Sequence, residues 1–160
     1  MGSNQGDAMA NLEEALQRLE HYGNDLVFDA QSPIYNTEPQ GHKDQPWFCN
    51  CVVRLKASSD IWAPEGLLST LQAVEAQMGR TRGEIVGGPR NIDLDLLLFG
   101  DVEMQGEYLT LPHPRMLERA FVLIPLRDIA PGLVFRDGRT IDQALSSLSY
   151  TLDGRNISQK

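Results

Sequence analysis

The stretch Asn91-Ile92-Asp93-Leu94-Asp95-Leu96-Leu97-Leu98-Phe99 interleaves apolar side chains with two carboxylates. In an extended chain, side chains two apart point to the same face. A strand over residues 91–99 is therefore expected to pack Ile92, Leu94 and Leu96 on a core, with Asp93 and Asp95 projecting together from the other face. Neighbouring carboxylates repel, and burying them unpaired is costly. The pair calls either for water, as on an exposed strand face, or for a cation between the two side chains. Hard oxygen donors suit Mg²⁺, which takes one or two carboxylates plus phosphate oxygens and keeps several waters. By itself Asp-x-Asp is weak evidence for a metal and is more often an exposed strand face. Its position directly after a glycine- and arginine-rich segment, residues 79–90, favours the cation.

The rest of the chain supplies the layers for such a strand. Leu12, Ala15, Leu16 and Leu19 recur at helical spacing, which predicts a helix over 11–19. Strands are expected over 26–35 and 47–57. In the second, Cys49, Cys51, Val53 and Leu55 share one face, and Phe48, Asn50, Val52 and Arg54 the other. Pro64 suits the first turn of a helix running to about Met78. A short strand near 108–111, a helix over 115–129 and a short helix starting near Thr140 complete the reading. Helices and strands alternate without a regular βαβ rhythm, which points to an α+β fold with helices on a largely antiparallel sheet. With 160 residues and no linker-like or repetitive tract, a single domain over 1–160 is expected.

Charge narrows the partners. The chain carries 22 acidic against 14 basic side chains, a formal charge of −8. That balance argues against nucleic-acid or membrane-surface binding, which needs an excess of cations. No apolar run reaches the length of a membrane span and no signal-like start is present, so a cytoplasmic protein is expected. The basic residues are unevenly placed: Arg80, Arg82, Arg90, Arg115 and Arg119 cluster within forty positions that contain no lysine. Arginine is suited to bidentate phosphate contacts, although a solvated basic face is the better account of the cluster when it stands alone. Neither a Gly-x-x-x-x-Gly-Lys-Ser/Thr loop nor a Gly-x-Gly-x-x-Gly loop occurs, which removes P-loop and dinucleotide-binding readings.

The run Gly88-Pro89-Arg90-Asn91-Ile92-Asp93-Leu94-Asp95 resembles the signature of the 6-hydroxymethyl-7,8-dihydropterin pyrophosphokinase family of folate biosynthesis. Five further segments are similar to that family in the same order: Gly2-Ser3-Asn4, Tyr35-Asn36-Thr37, Asp44 to Asn50, Leu111 to Met116, and Arg119-Ala120-Phe121. The resemblance implies a ferredoxin-like α/β sandwich, ATP as donor and two Mg²⁺ ions held by Asp93 and Asp95. It also implies AMP and the pterin diphosphate as products. On it, Arg80, Arg82, Arg90, Asp93 and Asp95 form the catalytic group. Gln72, Glu75, Thr110, His113 and Arg119 join those arginines on the nucleotide side. Thr37, Phe48, Asn50, Asp93 and Phe121 face the pterin, whose flat ring suits stacking between Phe48 and Phe121. Asn50 offers a donor and an acceptor to the ring edge. A monomer acting on two small molecules is expected.

Each candidate also has an ordinary structural role: Phe48 and Phe121 as core, Asn50 as a strand polar group, His113 as a loop residue, Glu75 as a solvated helix residue. The sequence departs from the family pattern at three places. Gly87 stands where a tryptophan is common, which removes an aromatic lid from the flexible loop 81–88. Tyr108 stands near a common basic position, so one phosphate contact is either missing or supplied by Arg115. Only Met1 precedes Gly2, where the family has an apolar first strand, and poor stability or strand-exchanged association is the expectation from that. Two rival functions keep the fold: a regulatory module that binds nucleotide or metal without turnover, and a metal-dependent transferase with another acceptor.

Overall fold

The computed structural model describes residues 1–80 and 87–159. In chain order the elements are β1 (Gly2–Ser3), α1 (Ala8–Glu20), β2 (Leu26–Gln31), β3 (Tyr35–Thr37), β4 (Phe48–Asn50), β5 (Val53–Ala57) and α2 (Pro64–Gln77). They continue as β6 (Met104–Gln105), β7 (Thr110–Leu111), α3 (Ala120–Ile129), α4 (Ile141–Ser146), β8 (Tyr150–Asp153) and β9 (Asn156–Gln159). Five strands form a sheet in the order β1-β4-β3-β9-β8, antiparallel except for the β3–β9 pair. Asp93 extends this sheet beyond β1, exchanging two backbone hydrogen bonds with Gly2 at 2.9 and 2.8 Å.

The alternation within 48–57 separates the two faces as expected. Cys51 packs with Leu12, Leu19, Leu71, Val74 and Ile92, in the core under α1 and α2. Val52 packs with Leu123, Ile124, Ile141 and Ile157, in the core under α3 and α4. Helices therefore cover both faces of a mostly antiparallel sheet, an α+β architecture. Helix α1 begins earlier than its apolar spacing suggests because Asp7 caps it, accepting the Ala10 N–H at 3.1 Å. Pro64 opens α2 as its composition predicts.

Four features differ from the sequence-based expectation. The long strands expected over 26–35 and 47–57 are each broken in the middle, because Pro33 has no N–H to pair. Ser32 fills the break: its N–H donates to the Val52 carbonyl at 2.9 Å, and its buried hydroxyl accepts the Val52 N–H at 3.0 Å. The stretch 91–99 is extended but bridges a neighbouring strand only at Asp93 among the described residues. The helix expected over 115–129 is a short 3₁₀ turn, Met116–Glu118, then an extended Arg119 at φ −120° and ψ 104°, then α3. Finally, the hairpin β8–β9 has no counterpart in the sequence-based expectation.

The Ser32 hydroxyl carries a stability prediction. Ser32→Ala leaves the buried Val52 N–H without its acceptor and is expected to cost about 1–2 kcal/mol. Urea denaturation measures it, and an unchanged midpoint would mean the hydroxyl is dispensable.

Candidate active site

Below the reach of α3, the face bearing Phe48, Asn50 and Val52 opens into a cleft of about 540 Å³. The strand carrying Asp93 and Asp95 forms one wall, because Ile92 and Leu94 anchor its opposite face in the core at 0% and 5% exposure. Arg80, Arg90, Arg115, Arg119 and His113 line the cleft around the two carboxylates. Asp93 is paired with Arg80 at 2.6 Å and with Arg90 at 3.3 Å. Asp95 is more open, with Arg119 at 3.6 Å. The break in the expected helix at Arg119 is what brings this side chain to Asp95, since an extended residue ahead of α3 turns it toward the sheet.

Thr37, Phe48, Asn50 and Phe121 lie in the same cleft. Asn50 donates through Nδ2 to the Thr37 hydroxyl, leaving one N–H and its carbonyl oxygen for a ligand. Gly2 makes room for this side chain: a Cβ there would fall 2.3 Å from Asn50 Oδ1. The Arg90 guanidinium sits 5.2 Å from the Phe48 ring centre, and that of Arg119 5.5 Å from the Phe121 ring centre. Both aromatic rings are thus held beside cations that also face the carboxylates.

Of the other nucleotide-side candidates, Gln72, Glu75 and Thr110 do not line the cleft. Glu75 is buried on the inner face of α2, and its burial pushes the carboxyl up from its ordinary value against the Leu94 N–H and Arg80, which pull it down. Arg82 and the greater part of the segment 81–88 lie outside the described residues. Gly87, in place of the common tryptophan, has φ 77°, a conformation that disfavours any bulky side chain. Tyr108 is exposed, and Arg115 lines the cleft.

Two residues of the site were not singled out individually from the sequence. Asn4, buried, accepts the Arg90 N–H at 2.8 Å, and its Nδ2 donates to Gln45 Oε1 at 3.0 Å and the Pro46 carbonyl at 2.9 Å. Gln45 in turn donates to the Gly87 carbonyl at 2.8 Å. Together they tie the N-terminal turn, the loop before β4 and the residues leading to Asp93. The only sequence signal for them is that both fall in segments that resemble the family.

His113 is fixed by its own N–H, which donates to the Leu97 carbonyl at 2.9 Å, and its Nδ1 accepts the Arg115 N–H at 3.2 Å. The ring proton of the neutral form therefore sits on Nε2. Burial pulls its pKa below the ordinary 6.5, outweighing the attraction of Asp95. Below that ordinary value the unfolded chain takes up a proton that the folded one refuses. Stability is therefore full above it and falls as pH drops toward the lower folded value. In metal-free buffer, His113→Asn is expected to flatten the fall in melting temperature between about pH 7 and about pH 5. A slope equal to that of the parent chain would assign the pH dependence elsewhere.

Among the described residues, no group of three or more His, Cys, Asp or Glu side chains is placed to hold a metal ion, and no helix is long and apolar enough to cross a membrane. The arrangement is therefore two carboxylates ringed by cations, beside two aromatic rings and an amide.

Comparison with known proteins gives this arrangement a family. Residues 1–131 match the family described as 7,8-dihydro-6-hydroxymethylpterin-pyrophosphokinase (HPPK). The chain is 39% identical to the 2-amino-4-hydroxy-6-hydroxymethyldihydropteridine pyrophosphokinase of Pseudomonas aeruginosa, over 94% of this chain and 90% of that one. It is 42% identical to the Methylorubrum extorquens protein of the same name, over 92% and 90%. With the Bacillus subtilis protein of that name it shares 43% identity over 81% and 74%. The carboxylate pair, the arginines around it and the aromatic end of the cleft all lie within the matched residues. The chain belongs to the 7,8-dihydro-6-hydroxymethylpterin-pyrophosphokinase family and is an enzyme of the ATP-dependent pyrophosphokinase kind.

Proposed function

We propose that the chain transfers pyrophosphate from ATP to the hydroxymethyl group of 6-hydroxymethyl-7,8-dihydropterin, a step in folate biosynthesis. The hydroxymethyl oxygen attacks the β-phosphorus and loses its proton, the bond between that phosphorus and the α-phosphate bridging oxygen breaks, and AMP leaves. The observation that carries the reading is the meeting of the Asp93–Asp95 pair with Arg80, Arg90, Arg119 and His113 in one cleft whose other end holds Phe48, Asn50 and Thr37.

The cations neutralise the triphosphate and the charge that shifts along it, and catalysis of this kind is mostly positioning plus electrostatics. His113 donates from Nε2 to a phosphate oxygen. Arg82 belongs to the same cationic group by the family resemblance. Phe48 and Phe121 hold the pterin ring, and Asn50 fixes its edge; Arg90 and Arg119, beside these rings, reach the phosphates from the pterin side.

The donor set fits Mg²⁺. The protein offers two carboxylates and no larger metal-binding group among the described residues, so a bound Mg²⁺ would draw its remaining donors from substrate phosphates and water. Asp93 and Asp95 would hold the two ions, which when bound neutralise charge on the attacking and leaving oxygens. We further read the chain as a ferredoxin-like α/β sandwich and a cytoplasmic monomer; the mostly antiparallel sheet supports the first, and a cleft built within one chain supports the monomer.

The test is incubation with ATP, Mg²⁺ and 6-hydroxymethyl-7,8-dihydropterin. AMP and the pterin diphosphate are the expected products, and chelation of Mg²⁺ is expected to stop their formation. ADP as the nucleotide product would overturn the reading. Nucleotide binding with no pterin-dependent turnover would favour a regulatory module instead.

A further inference from the structure

The two backbone hydrogen bonds between Asp93 and Gly2 use one edge of the carboxylate-bearing strand. The N–H of Leu94, between the two aspartates in sequence, points to the other edge. An N–H in that position is buried and needs an acceptor. Helix α2 supplies it from a side chain: Glu75 Oε1 accepts the Leu94 N–H at 2.6 Å. The carboxylate takes the place that a strand carbonyl would otherwise fill.

A glutamine would serve for that bond alone, yet the position carries a charge inside the core, 3% exposed. Buried charge persists where it is paired. The partner is Arg80, which donates a guanidinium N–H to the same Glu75 oxygen while its backbone N–H donates to the Glu75 carbonyl at 3.0 Å. Arg80 also reaches Asp93 at 2.6 Å and lines the cleft. One buried carboxylate thus sets the depth of the aspartate strand and aims an arginine at its first aspartate.

We propose that Glu75 is a positioning residue for the transfer, acting through the Leu94 backbone and the Arg80 guanidinium rather than by touching the nucleotide. The proposal rests on the function proposed above. It differs from the sequence-based expectation, which set Glu75 among the nucleotide contacts. Glu75→Gln keeps the acceptor for Leu94 and removes the charge that holds Arg80. Glu75→Leu removes both.

The experiment compares parent chain, Glu75→Gln, Arg80→Ala and the double variant, with product formation by the parent as the control for the proposed reaction. If the parent makes no AMP from ATP and the pterin, that reading has failed, and the Glu75 proposal with it. With an active parent, Glu75→Gln is expected to lower kcat about tenfold and raise the Mg²⁺ concentration for half-maximal rate several-fold. The KM for the pterin should stay within about twofold. In calorimetric titration, the enhancement by Mg²⁺ of the binding of a non-hydrolysable ATP analogue should shrink in parallel. In the Arg80→Ala background, Glu75→Gln should have little further effect on kcat. Glu75→Leu, where it folds, should lower kcat further than Glu75→Gln. Three results would overturn the proposal: parent-like kcat and Mg²⁺ response in Glu75→Gln, full additivity with Arg80→Ala, or a raised KM for ATP at unchanged kcat. The last would make Glu75 a nucleotide contact after all.

Discussion

Asp95→Ala is expected to lower kcat by about two to three orders of magnitude while leaving pterin affinity within about threefold. The asymmetry follows from where the side chain sits. Its neighbour Asp93 is held between Arg80 and Arg90, so removing Asp93 also releases two arginines from their places. Asp95 is open to the cleft, and among the described residues its ion-pair partner is Arg119, at 3.6 Å. On the proposed function its removal therefore takes an oxygen donor from the Mg²⁺ ions with little effect on packing. Leu94 and Leu96 on the other face keep the strand in the core. Steady-state rates over a range of Mg²⁺ concentration, with a pterin titration and a melting curve as controls, measure this directly. Activity that survives with the parent's Mg²⁺ dependence would mean the carboxylate pair is not the metal site.

Asn50→Ala is expected to act on the opposite term, weakening pterin binding by about 1–3 kcal/mol, or roughly 5- to 150-fold, with a smaller change in kcat. Asn50 stands on β4 beside Thr37 of β3, and its Nδ2 is already committed to the Thr37 hydroxyl. Truncation removes the remaining donor and acceptor from the ring edge and leaves the buried Thr37 hydroxyl without its partner. The cost is that of polar groups left unsatisfied away from water, which is larger than the value of one bond made in competition with water. Equilibrium titration with the pterin or a flat analogue reads the change. An unaltered affinity would take Asn50 out of the binding site. Together the two variants separate the halves of the cleft, one governing rate and the other affinity.

The parts of this architecture that could be read from the sequence are those set by local period. Ile92, Leu94 and Leu96 against Asp93 and Asp95 specify an orientation because a one-residue slip would bury two carboxylates. The alternation from Phe48 to Leu55 likewise assigned two faces, and Pro64 marked the start of α2. What escaped reading depends on partners far along the chain. The break at Ser32 is stabilised by Val52, and the extended Arg119 is placed by a sheet that sequence spacing cannot position. Asn4 meets Arg90 across most of the chain. The hairpin β8–β9 was missed for a different reason. Its strands are largely polar and exposed, with Ile157 the one buried side chain, so the hydrophobic signal is faint. The two-residue turn Gly154–Arg155, with Gly154 at φ 57°, was the available clue. Glu75 is the instructive case at the site: helical spacing put it on α2, but only the fold reveals that it faces inward.

The Asn4 side chain bears on how the cleft comes apart. It joins the turn after β1 to the loop before β4 and to the backbone of Arg90, and Gln45 extends the link to Gly87. None of these segments can lift away alone without stranding donors or acceptors in the others. The loop before β4 and the approach to the carboxylates are therefore expected to open as a single cooperative unit, which hydrogen exchange would read as shared amide protection.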